Sequence, residues 1–287
     1  MLAENSYGKS GIRLVKLVRR PDRHEIVDLT VAVRLAGDFE AAHVSGDNSR
    51  VLPTDTMKNT VYALAADHSL TPFETFGIDV VAHFLAGEGE PTSVTVDLEE
   101  HPWEPLAVRG RPHPHAFRRC GPEVRTARIR GTRESTSVEA GLDRLVVLKS
   151  AASAFAGFRR DRLTTLRETR DRIFATSVTA HWRYAETGID YRALRGEIRQ
   201  ALLETFAGHA SESVQHTLNA MGEAVLERHA EVDEIRISLP NKHHLPVDLS
   251  PFGLENRNEI FVATEEPYGL IEATLRREQA AGRREQE

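Results

Sequence analysis

The sequence predicts an α+β fold: an antiparallel sheet with paired helices on one face, laid down twice in the order strand-strand-helix-helix-strand-strand. Stretches of apolar/polar alternation mark strands in both halves. Apolar residues at helical spacing mark consecutive helices between them. The element order of residues 1–134 then recurs in residues 135–287, without residue-by-residue identity, and Gly131-Thr132-Arg133-Glu134-Ser135-Thr136 stands between the halves as the boundary.

In the first half, Val27, Leu29, Val31, Val33 and Leu35 alternate with smaller or polar residues up to Gly37-Asp38, a strand and its stop. DTMKNTVYALAADHS then predicts a helix capped by Asp55. TPFETFGIDVVAHFLAGEGE predicts another, with Thr71 as N-cap, Pro72 at the first helical position, Glu74 closing a capping box, and Gly87 and Gly89 as the stop. SVTVDLEE alternates at Val94, Val96 and Leu98, and FRRCGPEVRTARIRG reads as extended.

In the second half, RLVVLKS and VTAHWRYA read as strands. A helix follows with Leu194, Ile198, Leu202 and Phe206 on one face, then a second with Val214, Leu218, Met221 and Val225. EIRISLP and EIFVAT are strands again, the former ending at Pro240. Such sheets have open edges, and closure into a multi-subunit barrel would cover them.

The chain has 287 residues, 40% hydrophobic and 28% charged, as expected of a soluble protein with a sizeable core. A net charge of -6 argues against a general nucleic-acid binder. No apolar run is long enough to span a membrane, and the start lacks a signal-peptide core. The lone cysteine, Cys120, excludes an intrachain disulfide. A cytoplasmic location is expected. The polar tail after Arg276 is expected to be disordered, with no assigned role.

Several clusters carry chemistry. His113, His115 and Cys120 have ligand chemistry for zinc, but no second ligand pair at tight spacing accompanies them, so no metal site is expected. Arg118 and Arg119 flank Cys120, where they can lower its thiol pKa, but a free structural cysteine is the commoner case. No glycine-rich phosphate loop or GxSxG elbow occurs. Thr54 and Asp55 stand at a helix start, where they can cap or can face an anionic ligand. The arginines between Arg159 and Arg172 form a solvated face, from which one placed beside an aromatic would hold a planar anion. After Pro240 come Asn241, Lys242, His243 and His244. An extended backbone aims Asn241 and His243 to one side, and Lys242 and His244 to the other, toward solvent or an interface.

Taken in order, YGK, TDTMKNT, PHPHAF, LVVLKSAASAFAGF followed by TTLRETRDR, SVQ and LPNKH resemble the urate oxidase (uricase) family over nearly the whole chain. The resemblance implies two tandem T-fold domains in a homotetramer whose sheets close into a tunnel. It implies cofactor-free oxidation of urate by molecular oxygen and water to 5-hydroxyisourate, with release of hydrogen peroxide. Lys9, Thr54 and His243 match the family's proton-relay triad. Phe155 matches the ring that stacks on urate, Arg172 the arginine clamp, Gln215 with the Val214 backbone the reader of the other ring end, and Leu166 a pocket wall. Asp55 would give its backbone N–H to the five-membered ring, and Asn241 would hold water or dioxygen above it. The Lys9, Thr54 and Asp55 side of each site would come from a neighbouring subunit.

Ala151, Ala156 and Leu163 depart from the family pattern, where a hydroxyl residue, often a tryptophan, and an aromatic are usual. They leave every assigned residue unchanged and bear on rate, affinity and stability. Two other readings stand beside this one: a zinc- or glutamate-anchored T-fold enzyme of pterins, and a purine-binding tetramer without turnover.

Overall fold

A computed structural model describes residues 2–87 and 91–277. Gly89 and the tail beyond Arg277 lie outside the described residues. The chain divides into two compact units, Met1–Asp143 with Arg183–Arg195, and Arg144–Trp182 with Gly196–Glu287.

The first unit is built on β1 (Ser6–Arg19), β2 (His24–Gly37), β3 (Pro91–Glu100), β6 (Val124–Gly131) and the start of β7 (Thr136–Lys149), paired antiparallel in that order. A short helix α1 (Glu40–Val44) and helices α2 (Thr54–Asp67) and α3 (Phe73–Ala86) lie between β2 and β3 in the chain, and β4 (Trp103–Val108) pairs β5 (Arg111–Arg119) in a separate hairpin. The expected alternation on β2 is realised: Leu29, Val31, Val33 and Leu35 are buried, as are Phe73, Phe76 and Val80 of α3. Removing such side chains from water is the main drive for this layer, about 1.5–3 kcal/mol for each large one. The Gly131–Thr136 stretch forms the turn between β6 and β7, closed by Thr132 N–H donating to the Ser135 carbonyl at 2.8 Å.

The second unit carries most of β8 (Phe174–Tyr184), most of α4 (Tyr191–Gly208), α5 (Val214–Arg228), β9 (Val232–Pro246) and β10 (Phe261–Arg276). Both helical faces expected from spacing are buried, Ile198, Leu202 and Phe206 on α4 and Val214, Leu218, Met221 and Val225 on α5. Ile235, Ile237 and Leu239 of β9 are fully buried.

Several expectations are corrected. β1, β4 and α1 are elements the sequence did not announce. α2 begins at Thr54 with Pro53 at its N-cap, and no side chain caps it. Asp55 lies inside the first turn, where its carboxylate accepts from Lys58 Nζ at 2.5 Å and Asn59 Nδ2 at 3.2 Å. α3 begins at Phe73 with Pro72, not Thr71, at its N-cap. Glu74 closes no capping box. It is fully buried and accepts from Arg195 Nη1 at 3.0 Å, while Arg195 lies 4.9 Å over the Phe73 ring. Burial pushes the Glu74 carboxyl up, and the Arg195 charge opposes this. The tertiary pairing wins because a carboxylate this deep needs a cation more than a helix start needs a cap. β9 does not end at Pro240 but continues to Pro246. Its register with β10 breaks just past Pro240: Asn241 faces Gly269 but His243 faces Thr264, so Glu265, Glu266, Pro267 and Tyr268 bulge out against Lys242. Proline is tolerated in a ladder beside such a break.

Cations from neighbouring strands or strand ends close the C-termini of three helices. Lys16 Nζ donates to the Ala65, Ala66 and His68 carbonyls at 2.9, 2.8 and 2.7 Å at the end of α2. Lys149 Nζ donates to the His209 carbonyl at 2.6 Å after α4. Arg277 donates to the carbonyls of Leu226, His229 and Val232 after α5. These carbonyls have no intrahelical donors, and a cation also favours the negative helix end. Lys16→Met should therefore cost about 2 kcal/mol of stability. A denaturant midpoint unchanged from wild type would show that water replaces the lysine.

Candidate active site

The site is assembled around an irregular segment between β7 and β8. Backbone pairs pin that segment. Ala154 N–H donates to Ser211 O at 2.7 Å, and Ser211 N–H to Ala152 O at 3.0 Å. Phe155 and Thr169 exchange N–H···O bonds at 2.8 and 3.0 Å, and Arg172 N–H donates to Ser153 O at 2.9 Å. Asp171 Oδ1 accepts from Ala152 N–H at 2.9 Å. Residues with no helix or sheet of their own are thereby fixed, and Arg172 Cζ stands 5.4 Å from the centre of the Phe155 ring.

A cavity of about 470 Å³ opens against this pair, wholly within the second unit. Phe155, Leu166, Arg172, Val214, Gln215, Asn241 and His243, seven of the residues singled out in the sequence, line it. Val214 and Gln215 are the first residues of α5, whose N-cap Ser213 accepts from His216 N–H at 3.1 Å. A helix start turns unpartnered N–H groups outward and suits an anion. Asn241 is nearly buried, and its Nδ2 lies 3.5 Å from His243 Nδ1. Leu166, half exposed, forms the rim.

Arg172 decides the electrostatics. Its Nε is buried and has no hydrogen-bond partner among the described residues. Burial alone pushes its guanidinium below the usual arginine range. A half-buried cation facing a cavity and beside a ring can seat a flat anion.

Lys9, Thr54 and Asp55 lie in the first unit and do not line this cavity. Lys9 precedes a β-bulge: Lys9 faces Val33 and Ile12 faces Val31, with Gly11 at φ 69° taking up the extra residue. The bulge needs the left-handed backbone that glycine adopts freely. Asp55, fully exposed, has its carboxyl held below the usual range by the Lys58 hydrogen bond first, and the Lys9 charge contributes to this. With Pro53 giving no side-chain cap, the N–H groups at the start of α2 stay available.

Sequence reasoning missed some of the site. His244, expected to face away, lines the cavity beside His243, as does Asn258 at φ 65°. The register break opposite Lys242 undoes the simple alternation used to place His244. The Cys120 thiol is pushed up by burial, aided by Glu104, rather than lowered by its flanking arginines. His113 and His115 stack edge-on at 4.5 Å, and among the described residues no group of three or more His, Cys, Asp or Glu side chains is placed to hold a metal. No helix of the described residues is long and apolar enough to cross a membrane.

The fold and this cavity define an α+β protein whose cavity brings together an aromatic face, a half-buried arginine and a helix start. The family model described as Uricase matches residues 5–130 and 138–272. The uricase of Arthrobacter globiformis is 49% identical over 278 residues, covering 97% of this chain and 90% of that protein. The uricase of Dictyostelium discoideum is 37% identical over 280 residues, covering 96% and 97%. The crystal structure of the Arthrobacter globiformis uricase superposes with a TM-score of 0.93 at 48% identity, covering 97% of this chain and 95% of that one. The chain belongs to the uricase family.

Proposed function

We propose that this chain oxidises urate with dioxygen and water to 5-hydroxyisourate and hydrogen peroxide, and that urate lies flat on Phe155 in the cavity of the second unit. The observation that carries this is Arg172: a half-buried guanidinium whose buried Nε has no partner among the described residues, beside an aromatic face. Its fork can give parallel hydrogen bonds to the urate carbonyl and ring nitrogen while the ring stacks. Gln215 and the Val214 backbone read the opposite end, and Leu166 closes the rim. Asn241 seats dioxygen, and later water, above the ring.

Proton movement falls to Lys9, Thr54 and His243. Urate must lose a further proton before it can give an electron to triplet oxygen, and a lysine joined to a threonine hydroxyl can carry that proton through water to a histidine. The carbon that takes up oxygen then loses hydrogen peroxide and gains water, which balances the overall reaction. This account uses no metal or prosthetic group. Because Lys9, Thr54 and Asp55 do not line the cavity, they complete it from a neighbouring copy, with Asp55 giving its N–H to the five-membered ring. We read the assembly as a homotetramer whose β1 and β10 edges pair between copies.

An oxygen-electrode trace with metal-stripped protein, chelator and urate tests the reading. Expected is oxygen uptake matched by urate loss and peroxide. Absent uptake with zinc in the untreated protein would turn the assignment to a metal-dependent enzyme of pterins. Absent uptake without metal would leave a purine-binding protein.

A further inference from the structure

The stacking ring does not stand alone. Phe155 and Phe158 are joined by Ala156 and Gly157, and Gly157 takes φ 70°. That left-handed residue turns the chain back on itself, so the two rings stack at 4.9 Å between centres and 14° from parallel. Arg160 Cζ lies 5.1 Å over the Phe158 ring, and Arg172 Cζ lies 5.4 Å from the Phe155 ring. The result is a column of two rings with a guanidinium against each. Phe155 lines the cavity and Phe158 does not. A ring stacked on Phe155 from outside the cavity lining is placed to back the platform. Ala156, small and exposed, supplies no bulk that could do this instead.

We infer that Phe158 is a positioning residue for substrate: stacked behind Phe155 and covered by Arg160, it holds the platform ring flat toward the cavity. The inference rests on the urate reading above. A platform with no backing ring is free to turn about its side-chain torsions, and a ligand must then freeze it on binding. A backing ring removes that cost before substrate arrives. The effect belongs to binding, since the column touches neither the oxygen position nor the relay. Arg160 contributes through the ring face. Its ion pair with Glu168 is 3.8 Å long between two half-exposed groups and adds little.

The test compares wild type with F158L, F158Y and R160Q by anaerobic urate binding, aerobic kcat and KM, and Tm. F158L stays apolar and keeps most of the volume but loses the flat face, and is expected to raise Kd and KM about fivefold with kcat within about twofold. F158Y, which keeps the ring, is expected to restore wild-type affinity. R160Q, on an exposed side chain that folding does not require, is expected to raise Kd about twofold. Unchanged urate affinity in both F158L and R160Q overturns the inference. So does a loss in F158L that F158Y shares, or one seen in kcat and Tm alone. If wild type itself neither binds nor oxidises urate, the failure lies in the functional reading, and the inference falls with it.

Discussion

Arg172→Ala should raise the Michaelis constant for urate about hundredfold while leaving the fold intact, because it removes a pair of charge-assisted hydrogen bonds from a desolvated site. The arginine contributes little to its own unit's stability. Its side chain has a buried Nε without partner, so truncation relieves an unsatisfied group rather than creating one. The backbone bond from Arg172 N–H to Ser153 O survives the substitution and keeps the segment pinned. Arg172→Lys should recover little, since an ammonium cannot present two parallel donors. Anaerobic binding beside steady-state kinetics separates affinity from turnover. A KM within threefold of wild type would remove Arg172 from the clamp.

Lys9→Met should lower kcat by about 10²- to 10⁴-fold with a much smaller change in KM, as expected when a proton-transfer group is lost from a site whose binding groups remain. The side chain is only partly buried and follows the backbone into the Gly11 bulge, so Tm should stay close to wild type. Full activity in Lys9→Met would end the relay account. The same variant tests the shared site. If Lys9 of one copy serves the cavity of another, co-assembled Lys9→Met and Arg172→Ala chains contain some sites with both residues intact, and activity should reappear. Without recovery in verified mixed assemblies, Lys9 and Arg172 would have to act within one chain.

Much of the site was legible because its residues lie in short, ordered motifs. Phe155, Arg172, Gln215, Asn241 and His243 were each singled out in the sequence, and all line one cavity. Local spacing placed Asn241 and His243 together because alternation holds along most of β9. It failed one residue later, at His244, where the partner strand bulges. Capping rules misplaced the starts of α2 and α3. Asp55 found Lys58 and Asn59 instead, and Glu74 found Arg195, a partner far away in the chain that no local rule could supply.

What the sequence determined by itself was the α+β class, the buried faces of β2, α4 and α5, and the residue types that carry chemistry. These follow from the periods of strand and helix, which are properties of the backbone and need no knowledge of neighbours. The tertiary structure alone decided which polar groups meet and which stay unpaired. It joined Ser153 to Ser211 and Phe155 to Thr169, left Arg172 half buried beside a ring, and stacked Phe158 on that ring. Desolvation and long-range pairing depend on what packs against a residue from distant parts of the chain. A local reading of that residue contains neither.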